Sequence, residues 1–215
     1  NMTVMFLTMW CYLRGTDEDI TKFKADYSSN KISPGYVQPF ADSPLDDEPV
    51  SETVYLNLIN KAKSYVYITT PYLVIDSEME RALTSAAKAG VDVRIITPHI
   101  PDKWYVHEVT KSFYKNLVES GVKIYEYIPG FIHAKTFVVD DVYGVVGTIN
   151  LDYRSLFTHF ECGVWMYKTS SVKEIKEDFL TTLAVCKEVL WEDFKNIKWY
   201  QTLTSSLLRI FSPLM

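Results

Sequence analysis

Two closely spaced residue pairs late in the chain suit one kind of chemistry. In HAKTFVVDDVYGVVGTIN, His133 and Lys135 stand two residues apart, and so do Thr148 and Asn150. The residues between them, Thr136 to Val139 and Val142 to Val146, are mostly β-branched or aromatic and favour strand. Residues i and i+2 of a strand share a face, which sets the members of each pair side by side. An ammonium next to an imidazole repels a cation, so the pair argues against a metal site. It suits an anion instead: lysine brings a fixed charge with three donors, and histidine attacks or exchanges a proton near neutral pH. Thr148 and Asn150 add a hydroxyl and an amide that can donate to oxyanions. These are the parts needed to bind a phosphoryl group and attack it. Asp140, of odd parity relative to His133, falls off that face and reads as a carboxylate that orients a group from behind.

The elements that must position these residues follow from hydrophobic periodicity and turn signals. Val54, Leu58, Ile59 and Ala62 lie at helical spacing. SYVYITTPYL reads as a strand stopping at Pro71, and SEMERALTSAAKAG as a helix with Ser77 and Glu80 at capping-box spacing and Gly90 as its stop. VDVRIITP is a further strand, followed by the helix KWYVHEVTKSFYKNLVESG and the strand VKIYEYI. The two strands around the histidine come next, then a polar link at Asp152 to Ser155, the strand FECGVWMY, and a helix from about Ser171 to Val189. Strands alternating with long helices mean an α/β fold, helices covering both faces of a largely parallel sheet.

Three regions are expected: 1–48, a helix and connector; 49–190, the α/β domain; and 191–215, a helical tail. Thr3 to Leu13 reads as one helix that packs on something. It is shorter than the ~20 apolar residues of a membrane span, and its abrupt start suggests the cut edge of a longer protein. The connector carries an expected short helix at Asp17 to Tyr27 and an extended piece at Tyr36 to Phe40. In the tail, Trp199, Leu203, Leu207, Ile210, Phe211 and Leu214 fall on one helix side, read as docking on this domain or a neighbour rather than on a membrane surface.

Composition narrows the classes. A chain of 215 residues, 47% hydrophobic and 23% charged, is an ordinary globular one. Its net charge of −5 argues mildly against a nucleic-acid partner, whose phosphates need a basic face. Cys11, Cys162 and Cys186 show no paired spacing, so neither a disulfide framework nor a zinc site is suggested; Cys162 and Cys186 read as small core residues in a chain facing a reducing compartment.

The full string, His133-x-Lys135, four residues, Asp140, six residues, Gly147-Thr148-x-Asn150, resembles the signature HxK(x)4D(x)6G(S/T)xN of the phospholipase D superfamily, with threonine in place of the commoner serine. Segments on either side, KAKSYVYITTPYLV, GVDVRIITP and GTINLDYRS among them, look like the second half of a bacterial cardiolipin synthase. The resemblance implies a phospholipase D-like α/β/α sandwich with a largely parallel or mixed sheet. It implies two such motifs, of which this chain carries one: His99, His107 and His159 are not followed by a lysine two residues on. The chain therefore looks like a C-terminal half, with an N-terminal half as partner and a membrane-bound parent at the cell membrane. The implied reaction is phosphatidyl transfer between two phosphatidylglycerol molecules through a phosphohistidine, giving cardiolipin and glycerol, with no metal or organic cofactor and no nucleic acid.

Carried onto this sequence, His133 is a catalytic histidine, Lys135 and Asn150 hold the phosphate, Thr148 assists, Asp140 supports the histidine network and Glu161 accepts from the catalytic histidine of a half. The analogy leans towards His133 as acid/base and a nucleophile in the other half, though the residues fit either role. Tyr72 lies in a TPY segment near the family's site, with turn packing the alternative. Phe131 and Ile132 suit an apolar lip for acyl chains or plain core, and Arg154 suits a phosphate or a carboxylate partner, a structural ion pair being the favoured reading. Two other readings remain: a homodimeric one-motif phosphodiesterase or nuclease of the same superfamily, and a half that folds but has no activity alone.

Overall fold

The structure, a computed structural model, describes residues 2–24, 34–45, 47–195, 207–210 and 212. Ten strands and five α-helices are described. The first helix is α1 (Met2–Arg14), and a 3₁₀ turn at Ile20–Phe23 follows. Strand β1 (Tyr36–Asp42) precedes α2 (Val50–Lys61), β2 (Tyr65–Thr69), β3 (Leu73–Val74), α3 (Ser77–Lys88), β4 (Asp92–Pro98), α4 (Trp104–Glu119) and β5 (Lys123–Tyr127). The second part runs through β6 (Thr136–Val139), β7 (Tyr143–Gly147), β8 (Leu151–Asp152), a π-helical turn at Arg154–Thr158, β9 (Glu161–Tyr167), α5 (Ser170–Leu183) and β10 (Cys186–Val189).

Eight strands form one sheet in the order β1-β9-β7-β6-β2-β4-β5-β10, and β3 pairs with β8 in a small second sheet. Within the large sheet only β2–β4 and β4–β5 are parallel. The fold is α/β as expected, with a mixed rather than largely parallel sheet. Parallel neighbours need a crossover helix, which α3 and α4 supply. After β5 the chain turns back through the β6–β7 hairpin and continues antiparallel into β9.

Helices cover both faces. On one, Leu58, Ile59, Met79, Leu83, Phe113 and Leu117 from α2, α3 and α4 pack with Val66, Ile68, Val93, Ile95 and Phe137 of the sheet. On the other, Val172 and Phe179 of α5 meet Tyr65, Tyr67, Ile96 and Val138. Gly90 and Gly121 end α3 and α4 with φ of 93° and 97°, the left-handed geometry a helix stop requires.

Several local expectations are corrected. The expected helix from Ser171 to Val189 stops at Leu183; Cys186–Val189 instead form β10 along the free edge of β5. There the backbone hydrogen bonds of an open sheet edge outweigh local helical spacing. The cap of α3 is Asp76, whose side chain accepts from the Met79 N–H at 2.9 Å, and not Ser77. In the connector, the helix expected at Asp17 to Tyr27 is described only as the 3₁₀ turn at Ile20–Phe23, its last three residues lying outside the described ones. The extended piece at Tyr36 is an edge strand paired with β9 along its whole length. Of the tail stripe, Trp199, Leu203, Phe211 and Leu214 lie outside the described residues. Nearby, Leu208 packs on the main core, and Arg209 pairs with Glu80 at 2.9 Å and lies over the Phe113 ring. Among the described residues no helix is long and apolar enough to cross a membrane.

Candidate active site

The two residue pairs of the opening stretch flank the β6–β7 hairpin rather than sit within its strands. His133 and Lys135 lie in extended chain just before β6, and Thr148 and Asn150 just after β7. The strand-parity argument therefore does not apply to them directly. They meet because β6 and β7 pair antiparallel, Thr136 opposite Val146, which brings the entry of one strand beside the exit of the other. The Gly147 N–H donates to the Lys135 carbonyl at 3.3 Å and continues that ladder.

Glycine at 147 has a steric reason. A Cβ there would fall inside contact distance of the Cys162 carbonyl oxygen and 2.8 Å from the Gly163 Cα. The close approach of β7 and β9 in turn sets Thr148 against β9. The Thr148 N–H donates to the Cys162 carbonyl at 2.9 Å, its hydroxyl accepts from the Cys162 N–H at 3.0 Å, and the same hydroxyl donates to the Glu161 carboxylate in a short bond. The loop between is held from below: the buried Tyr55 stacks on Phe137 and donates its hydroxyl to the Ile149 carbonyl at 3.2 Å. Thr70 ties the TPY segment to the same loop, its hydroxyl donating to the Tyr72 carbonyl and accepting from the Leu151 N–H.

His133 is exposed and Lys135 half-buried. The Lys135 ammonium donates to the His133 carbonyl at 2.7 Å, which fixes its stem along the chain. Partial burial lowers the Lys135 pKa, and the nearby Glu161 and Asp152 carboxylates act against that shift. Desolvation, then the Lys135 charge, holds the His133 pKa below its ordinary value, while Asp102 acts the other way. The neutral imidazole, able to attack or accept a proton, is thereby favoured. The His133 ring sits 5.4 Å from that of Phe131, which lies 6.3 Å from Tyr72. Tyr72 in turn donates to Asp102 at 2.5 Å.

The Asn150 amide nitrogen donates to the Ser155 hydroxyl at 2.9 Å, while its carbonyl oxygen is buried with no partner. Asp152, buried behind it, accepts from the Ser155 N–H at 2.7 Å, and burial raises its pKa.

Asp140 stands apart. It lies at the far end of β6 in the left-handed region, φ 55°, and its carboxylate accepts from the Lys63, Ser64 and Tyr65 N–H groups at 2.7–2.9 Å. The expectation that it supports the histidine network is corrected: the whole of β6 separates it from His133, and it braces the start of β2. Glu161 binds Thr148 and lies 3.8 Å from His159; no described hydrogen bond joins it to His133. The ion pair expected for Arg154 is not found among the described residues, where its side chain is exposed. The site residues that sequence reasoning missed are Asp102, Asp152 and Ser155. Asp102 follows β4, at the carboxyl end of the parallel strands where α/β sites gather, and that placement was its one available signal.

A histidine, a lysine and neutral donors gathered at the strand ends of a mixed α/β sheet are the arrangement that the phospholipase D resemblance leads one to expect. The comparisons agree with that class. Residues 55–183 match the model of the "Cardiolipin synthase, PLD-like domain" family, and the chain belongs to that family. It is 46% identical over its full length to an uncharacterized protein of Streptococcus mutans and 34% identical to a cardiolipin synthase of Halalkalibacterium halodurans. It spans 46% and 42% of those relatives, a little under half of each. Among solved structures, the phospholipase D family member Nuc of Salmonella typhimurium superposes with a TM-score of 0.61 at 19% identity, covering 73% of this chain and 99% of that one. A phosphatidylserine synthase of Haemophilus influenzae gives 0.65 at 17% identity, over 83% and 45% of the two chains. These likenesses establish the shared fold.

Proposed function

We propose that the chain is the C-terminal catalytic half of a cardiolipin synthase, working on phosphatidylglycerol in the plane of a membrane. The observation that carries this reading is the meeting of His133, Lys135, Thr148 and Asn150 at one end of the β6–β7 hairpin, in a chain that covers under half of its cardiolipin synthase relatives. One histidine attacks phosphorus of the first phosphatidylglycerol, the P–O bond to its terminal glycerol breaks, and the partner histidine gives that oxygen a proton. The partner then takes the proton from a glycerol hydroxyl of a second phosphatidylglycerol, whose oxygen attacks phosphorus as the P–N bond breaks. Cardiolipin and glycerol leave, and both histidines are restored. Lys135 neutralises the phosphoryl oxygens and the Asn150 amide hydrogen-bonds to them, and His133 serves as the acid/base, the bound phosphate's negative charge favouring the imidazolium that the first step needs. With His133 as the acid/base, the isolated chain lacks the nucleophilic histidine on which the covalent intermediate depends, so it is expected to be inactive.

The test is phosphatidylglycerol-to-cardiolipin conversion in vesicles by this chain, with and without a separately supplied N-terminal half, and with His133→Ala. Product only when both halves are present, lost in the variant, supports the proposal. Turnover by the 215-residue chain alone would mean a self-complementing dimer and would remove the half-enzyme reading.

A further inference from the structure

The face of α1 that carries Met2, Met5 and Met9 bounds a cavity of about 670 Å³ whose other wall includes Leu45 and Phe160. Thr148 and Glu161, residues of the candidate active site, also line it. The volume lies within the ~300–1,000 Å³ of ordinary ligand pockets. Three of the chain's six methionines line it at spacings of three and four, giving a soft, adaptable apolar wall. The polar groups along the walls are turned inward: Thr8 donates to the Val4 carbonyl, Asp42 accepts from the Ser43 and Ser51 N–H groups, and the Ser43 hydroxyl accepts from Leu45. The cavity wall is therefore mainly apolar, and Thr148 and Glu161 make it continuous with the candidate site.

We infer that this groove holds an acyl chain of the phospholipid whose phosphate is bound at Lys135. The inference rests on the phosphatidyl-transfer reading and adds to it the place of the lipid tail. An acyl chain brings no polar group to a wall built mainly of methionine and aromatic side chains, and its head group would lie at the side of Thr148 and Glu161, next to the proposed phosphate site. Helix α1 is thus a side wall of the lipid site.

The test is photolabelling of the 215-residue chain by phosphatidylglycerol bearing a diazirine at the end of one acyl chain, in mixed vesicles, with labelled peptides read by mass spectrometry. Labels are expected on Met2 to Tyr12 and on the Leu45 or Phe160 peptides. Lys135→Ala, which removes the phosphate anchor, and Met9→Trp, which fills the groove, should each lower them by about tenfold, a change of ~1.4 kcal/mol in binding. Met9→Leu should leave them in place. If circular dichroism shows Met9→Trp unfolded, Met5→Trp takes its role. Labels scattered over all exposed apolar surface, or α1 labels indifferent to both Lys135→Ala and the filling variant, overturn the inference. So does a sedimenting dimer whose formation alone protects α1. Failure of cardiolipin synthesis by the paired halves, with site-dependent labelling intact, would sink the transfer reading while the groove remained a lipid site.

Discussion

At the scale of single residues, the signature divides into groups that can meet phosphate and one that braces the scaffold. Lys135 and His133 sit where an anion can be held, the lysine's ammonium already anchored on the His133 carbonyl. Asp140, the third ionisable member of the string, closes three backbone N–H bonds at the opposite end of β6. Charge-assisted bonds of this kind contribute roughly 1.5–3 kcal/mol each when buried and less at the surface. Asp140→Ala should therefore lower stability by about 1–3 kcal/mol, read as a reduced urea midpoint. The complemented enzyme should keep its turnover per folded molecule at temperatures where the variant stays folded. A turnover loss as large as that of His133→Ala in a fully folded variant would return Asp140 to the histidine network.

At the scale of elements, one close approach decides the site. The β7 and β9 strands meet across Gly147 and Gly163, and the Thr148 hydroxyl locks onto the Cys162 N–H directly beyond that contact. Gly147→Ala should force the strands apart, costing about 1–3 kcal/mol as overpacking does. Because Thr148 rides on the same contact, complemented activity should fall further than the loss of stability explains. A variant with wild-type melting and wild-type turnover would show that the glycine is not sterically required. The β10 strand teaches the converse: the segment from Cys186 to Val189 follows a helix in sequence and pairs with β5 in space, because an open edge offers its backbone partners.

At the scale of the whole molecule, pH acts on stability through a buried carboxylate on α2. Glu52 on α2 is buried and has a carboxylate oxygen with no partner; burial, then the Asp76 and Glu78 charges, raises its pKa from 4.5 to about 7. Between those values the folded chain holds a proton that the unfolded chain has released. Stability from this group is present at low pH and lost as pH rises through about 7, by on the order of 2 kcal/mol. Glu52→Gln should be more stable than the parent above that pH and show a flatter profile below it, measured by urea unfolding at about pH 5 and about pH 8. Equal profiles for the two proteins would show that Glu52 is ionised in the fold.

The clustering of the candidate site residues was legible in sequence because it is local. Histidine, lysine, threonine and asparagine at fixed spacings along a hairpin must end near one another once the strands pair, whatever surrounds them. Helix stops at Gly90 and Gly121 were legible for the same reason, since positive φ is a property of one residue. What only the tertiary structure decided depends on contacts between distant segments. It sent Asp140 to the start of β2, brought Asp102 to Tyr72, made β10 a strand and set α1 around one cavity with Thr148 and Glu161. A carboxylate's partner and a strand's neighbour are set by which backbone groups would otherwise be left unpaired, and that balance exists only when the whole chain is folded.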